Sequence, residues 1–206
     1  MRLSIHPAQI RFLLQISRKI DRLTDWIGHF STWLVLATIG VGFYNVAVRF
    51  IGRWTQTQLS SNALIELQWY LFSLMFFCGF AYILKHGENV RVDFLYAHWD
   101  DRRRAWVDLV GTLFFLIPFC ILGWCVTIDP VLDAWGYLPD GSWGSWEVSP
   151  DANGLPRAPI KTMILFAFAL LLAQAFSQAV KYLAILKGYG TADELLTPDT
   201  ENLPLE

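Results

Sequence analysis

The chain has 206 residues, 54% of hydrophobic types and 17% charged, a balance on the apolar side of an ordinary soluble domain. That composition argues against a soluble globular protein and for a single membrane domain, expected over 1–187. The net charge of −2 decides nothing by itself, and no nucleic-acid partner is expected; the distribution of the charges carries the information.

From the N-terminus, Ile10, Leu13, Ile16, Ile20 and Leu23 recur at three- and four-residue steps, with Arg11, Arg18, Lys19 and Arg22 among them. This pattern predicts an amphipathic helix lying on the lipid bilayer surface or against a partner. The apolar run that follows, 26–48, has no Asp, Glu, Lys or Arg. It is too long for a signal-peptide core and lacks a small-residue cleavage site, so it is expected to stay as the first span. Asn45 and Arg49 stand one helical turn apart at its far end, and Glu66 opens the second span (66–85) on the same side. An Arg49–Glu66 contact, or one with Arg53, is one expectation for these groups; snorkelling into headgroups is the other.

A third span is expected over 106–128, kinked at Pro118, and a fourth over 160–181. A helix rising about 1.5 Å per residue needs roughly 20 apolar residues to cross a hydrocarbon core of about 30 Å, and these four stretches meet that requirement. Trp26, Trp69, Tyr70, Trp106, Lys161 and Lys181 bracket the runs as interfacial anchors. The runs are apolar all round, without the polar stripe at 3.6-residue spacing that a soluble helix shows.

Between the last two spans, 129–160 holds Trp135, Trp143 and Trp146 with Gly136, Gly141, Gly144 and Gly154, which predicts a structured, non-helical loop. Three tryptophans are costly to leave wet, so burial against a partner or the membrane surface is expected. The closing segment is acidic and poor in large side chains, and 188–206 is expected to be a disordered tail.

Orientation follows from cation placement. Arg2, Arg11, Arg18, Lys19, Arg22, Lys85, Arg91, Arg102, Arg103, Arg104, Lys181 and Lys187 fall on one side of a four-span topology. Only Arg49, Arg53, Arg157 and Lys161 fall on the other. The positive-inside rule then places both termini in the cytoplasm and the 129–160 loop in the periplasm.

Catalytic and metal signatures do not stand out. Cys78, Cys120 and Cys125 lie in apolar runs without CxxC spacing and read as small apolar residues. Glu88, Asp93, Asp100 and Asp101 lie among arginines and read as solvated ion pairs. There is no P-loop, HExxH or GxSxG, so no enzyme activity and no cofactor is expected. A haem-bearing electron-transfer subunit is the alternative and would need His29 and His86 to meet; a stand-alone four-helix assembly factor is a further one.

Several segments resemble one family. They are Asn45 to Phe50 (NVAVRF), Glu66-Leu-Gln-Trp69-Tyr70-Leu-Phe72, Gly79-Phe-Ala81-Tyr82 followed by His86, and Asn89-Val-Arg91-Val-Asp93. In this order and spacing they resemble the small, four-span membrane subunit (DctQ type) of tripartite ATP-independent periplasmic (TRAP) transporters. The long outer loop, with Asn153-Gly-Leu-Pro156 and Pro159-Ile-Lys161, looks like the extended-loop subgroup, departing from its pattern at Asn153 and Ala158. The resemblance implies a scaffold for a large sodium-coupled permease subunit, supplied with an organic acid or related solute by a periplasmic solute-binding protein. It further implies assembly roles for Asn45, Arg49, Glu66, Trp69, Tyr70, Arg91 and Asp93. Trp135, Trp143, Trp146, Leu155 and Pro156 would form a docking loop for the binding protein.

Overall fold

The computed structural model describes residues 7–57, 61–87 and 98–196. Four helices in it are long and apolar enough to cross a membrane, which is the all-α membrane fold expected from the four apolar runs. Helix α1 is Pro7–Thr55 and α2 is Asn62–His86. The third span is built from α3 (Asp101–Gly111), one π turn (Thr112–Leu116) and α4 (Ile117–Ala134). The fourth is α5 (Ala158–Leu186), and a short α6 (Ala192–Leu196) follows.

The amphipathic segment expected as a separate N-terminal helix is instead the first part of α1, because no Gly or Pro interrupts 8–27. At 49 residues, α1 is about 73 Å long, more than twice the thickness of a hydrocarbon core. Its buried stripe also differs from the apolar one read off the sequence. Ile10 is buried, but Leu23 is exposed, and the inward positions are Ser17, Asp21 and Thr24.

Pro118 perturbs the third span one turn earlier than its own position. Lacking an N–H, it leaves Phe114 O without the usual helical donor. The backbone widens there, with the N–H of Ile117 reaching Thr112 O, five residues back. Such π turns are a recognised way for a helix to absorb a defect.

The chain divides into two compact units, each assembled from several helix segments. The first comprises Met1–Trp26, Phe80–Leu122 and Ala169–Glu206. Its apolar core is Ala105 and Leu109 of α3 against Ala179 and Tyr182 of α5, with Leu183, Ile185, Leu186 and Leu196 packed around them. Gly188, at φ +76°, ends α5 in a Schellman turn: Gly188 N–H donates to Ile185 O (3.0 Å) and Tyr189 N–H to Ala184 O (3.0 Å). A capping box then starts α6, Thr191 N–H donating to Glu194 Oε2 (3.2 Å) and Glu194 N–H to Thr191 Oγ1 (3.3 Å). Thus part of the segment expected as a disordered tail is a helix docked on the core; 197–206 lie outside the described residues.

The second unit comprises Ile27–Gly79 and Gly123–Phe168. Here α1 and α2 approach closely at Gly42, where a Cβ would lie 2.9 Å from Gln68 Nε2. In the loop after α4, isolated antiparallel bridges pair Tyr137 with Trp143 and Val148 with Pro156. Gly136 permits the first of these. Its φ is +85°, and a Cβ there would lie 2.7 Å from the carbonyl oxygens of Gly144 and Ser145.

Candidate functional site

Helix α1 carries a small or polar residue every seven positions: Ser17, Thr24, Ser31, Thr38, Asn45 and Gly52. A seven-residue repeat holds one seam of a helix toward its neighbours, and small residues in that seam let membrane helices approach. Within the first unit this seam meets a polar stripe on α5. Ser17 Oγ and Ser177 Oγ are 2.7 Å apart, and Thr24 Oγ1 donates to Gln174 Oε1 (2.8 Å).

Asp21 lies between these contacts and is the most heavily used side chain of the seam. Its Oδ1 accepts from Gln174 Nε2 (3.0 Å) and Ser177 Oγ (2.9 Å), while Oδ2 pairs with Lys181 Nζ (2.7 Å). Both ion-pair partners are buried, at 8% and 6% exposure. A buried carboxylate needs this degree of compensation, since an unpaired charge in a low-dielectric setting is strongly unfavourable. One turn on, Asp25 pairs with Lys85 of α2, whose Nζ also donates to Asp21 O (3.5 Å). His86 Nε2 stands 3.5 Å from Asp25 Oδ1, its ring 4.1 Å from that of Tyr82. Gln178 Nε2 donates to Lys85 O (3.2 Å). Three helices are thereby joined by groups that lipid cannot replace.

In the second unit, Glu66 fastens the loop between α4 and α5. One carboxylate oxygen accepts from Ser149 Oγ and the other from the Leu155 N–H. Around this clamp, Tyr70 Oη donates to Pro156 O (3.0 Å) and Asn62 Nδ2 to Ala152 O (3.2 Å). Glu147 pairs with Lys161, and Trp135 Nε1 donates to Thr162 Oγ1 (2.8 Å). The loop is thus tied to the first turns of α2 and α5. At its tip Asp140 accepts from the Ser142 Oγ (2.6 Å) and N–H (3.0 Å), which hold its carboxyl below the usual carboxylate range.

The sequence-predicted residues fall into distinct places. Glu66, Tyr70, Leu155 and Pro156 come together in the clamp. The Arg49–Glu66 contact does not form: Arg49 is exposed, no ion pair among the described residues joins the two, and both oxygens of Glu66 are occupied by the loop. Arg53 instead lies 5.9 Å over the Phe50 ring. Asn45 is buried on the α1 seam, its Oδ1 without a hydrogen-bond partner among the described residues. Trp69 packs edge-on against Tyr70 (4.3 Å between centroids). Trp135 is half-buried against Trp146 (4.7 Å), whereas Trp143, at 66% exposure, and Trp146, at 52%, are open on the loop. Arg91 and Asp93 lie outside the described residues.

Sequence reading did not single out Asp21, Asp25, Gln174, Ser177 or Gln178. Their signals were present: the seven-residue repeat in α1, and Gln174, Ser177, Gln178 and Lys181 at helical steps at the end of an otherwise apolar run. The most apolar window of α5 is 44% buried, against 11–17% for the other spans, and Gln174, Ser177, Gln178 and Lys181 all lie on its buried side. Among the described residues no group of three or more His, Cys, Asp or Glu side chains gathers as a metal site. These contacts can fasten helices and present a loop.

A family model described as "Tripartite ATP-independent periplasmic transporters, DctQ component" matches residues 38–184. No curated protein and no solved structure matches the chain.

Proposed function

Since the chain belongs to the DctQ component family of TRAP transporters, and is thus a small membrane subunit of such a transporter, we propose that it acts as a scaffold for the large, sodium-coupled permease. In this reading a periplasmic binding protein delivers an organic acid or related solute, and the large subunit carries it through the inner membrane. Both termini face the cytoplasm, and the 135–157 loop faces the periplasm. The observation carrying the scaffold role is the use of the buried polar groups. Asp21, Lys181, Gln174 and Ser177 are spent on one another, and Glu66 on the loop. A carrier keeps such groups for its ions and solute; a scaffold uses them to hold its helices in register.

The exposed Trp143 and Trp146, on a loop tied down at Glu66 and Trp135, suit a rigid docking platform for the binding protein, with Leu155 and Pro156 at its base. Asn45, Arg49, Trp69, Tyr70, Arg91 and Asp93 are proposed to serve assembly with the large subunit. Affinity purification of the full-length chain from native membranes in mild detergent tests the reading. A large membrane permease is expected to co-elute in fixed ratio. A chain that elutes alone, or one with a Soret absorbance band, contradicts it.

A further inference from the structure

The first unit contains a polar cavity of about 400 Å³ lined by segments of α1, α2, α5 and α6. Arg18, Asp21, Arg22 and Asp25 come from α1, Lys85 and Lys181 from α2 and α5, and Glu194 from α6. Two ion pairs compensate four of the charges inside. Lys181 is paired with Asp21 and Lys85 with Asp25, whereas Glu194 accepts from the Thr191 N–H and keeps its charge, so the four cations and three anions of the lining leave a net charge of +1.

Arg18 and Arg22 are the cations left over, and together they outweigh Glu194. They stand one helical turn apart, both exposed, and no ion pair among the described residues engages either guanidinium. Two arginines one turn apart in the lining of one cavity can both donate to a tetrahedral oxyanion, which Arg binds through paired N–H donors. The cavity lies where the apolar runs of α1, α2 and α5 end and the cations begin, the level of headgroups. Leu14, Leu195 and Leu196 supply apolar wall beside the charges, as a ligand with a polar head and an apolar body requires.

We propose that this cavity is a phosphate-binding site, in which Arg18 and Arg22 hold the phosphate group of an anionic phospholipid or of a small free phosphate over the compensated floor formed by Lys85, Lys181, Asp21 and Asp25. The site is separate from the loop clamp and from the scaffold reading. It would make the cytoplasmic end of the subunit sensitive to the phosphate chemistry next to it.

Binding is measured on the full-length chain in neutral detergent with three probes: phosphatidylglycerol, diacylglycerol as a lipid lacking phosphate, and inorganic phosphate. The variant R18Q/R22Q removes both guanidiniums, and R11Q/K19Q removes the same charge from exposed positions outside the cavity. With each guanidinium contributing one net hydrogen bond to the phosphate, R18Q/R22Q should weaken binding by about 30-fold. R11Q/K19Q should leave it close to that of the parent. Both arginines are exposed, so the variant should keep the parent's thermal midpoint, which is checked in parallel. Loss confined to phosphatidylglycerol identifies a lipid as the source; loss confined to inorganic phosphate identifies a free phosphate. The proposal is overturned if R18Q/R22Q binds both phosphate probes as the parent does, if R11Q/K19Q loses as much, or if diacylglycerol binds as tightly as phosphatidylglycerol.

Discussion

Replacing Asp21 with Ala strands Lys181 Nζ and Gln174 Nε2 and leaves Ser177 Oγ only Ser17 as a partner. Lys181 Nζ loses its ion pair at 2.7 Å, and Gln174 Nε2 and Ser177 Oγ lose the acceptor they share, at 3.0 and 2.9 Å. Breaking a buried pair while leaving one charge behind destabilises by about 3–5 kcal/mol. For a chain of this size each kcal/mol moves the thermal midpoint by about 2–4 °C, so D21A should melt roughly 6–20 °C below the parent. The cause is the abandoned charge, so removing it should restore stability. D21A/K181M, with an apolar side chain of similar length in place of the ammonium, should recover most of the loss, since apolar replacement of a whole buried pair is often neutral or stabilising. The assay is thermal unfolding of the full-length chain in detergent, followed by size-exclusion chromatography, for the parent, both single variants and the double variant. A D21A midpoint within a degree of the parent, or a double variant no better than D21A, would refute the argument that this carboxylate holds α1 to α5.

Glu66→Ala should free the 149–155 segment while leaving the helices intact. Limited proteolysis within that segment is expected to speed up by about tenfold, with unchanged helical circular dichroism. Gly136→Ala places a Cβ 2.7 Å from two carbonyl oxygens at φ +85° and should lower loop stability by about 1–3 kcal/mol, read as faster cleavage between 136 and 145. The hydrogen bonds of Ser142 depress the carboxyl of Asp140. Their contribution is therefore complete at and above the ordinary Asp value of about 3.9 and is lost only as pH falls through the lowered value. Pepsin cleavage of the 138–143 turn, taken at each pH as a ratio to that of an unstructured peptide of the same sequence, should stay flat down to that ordinary value and rise below it, whereas for Asp140→Asn the same ratio should be independent of pH over the range.

The fold was readable because lipid enforces it: backbone donors and acceptors in hydrocarbon must pair within a helix, so four apolar runs of spanning length leave few alternatives. Helix ends were less readable. Residues 7–25 share the helix of 26–48, yet their charge makes them resemble a separate surface element, and only the absence of Gly or Pro over 8–27 indicates continuity. The site was half readable. Glu66 stood out as an acid at the mouth of a span, but Arg49 and Arg53, near in sequence, drew attention away from Ser149 and Leu155, which reach it from more than eighty residues along the chain. The Asp21 seam was overlooked because its cations, Lys85 and Lys181, also satisfy the positive-inside pattern, and one residue can do both. A pairing between positions 21 and 181 is set by helix packing, which local periodicity does not encode.

Solute uptake tests the scaffold role most directly. The solute is identified from the purified binding protein and its uptake measured in cells with the large permease, with this chain, with both, and with both after the sodium gradient is collapsed. The account predicts uptake only with both subunits and an intact gradient. Uptake by the large permease without this chain, or by this chain without the large permease, would contradict it.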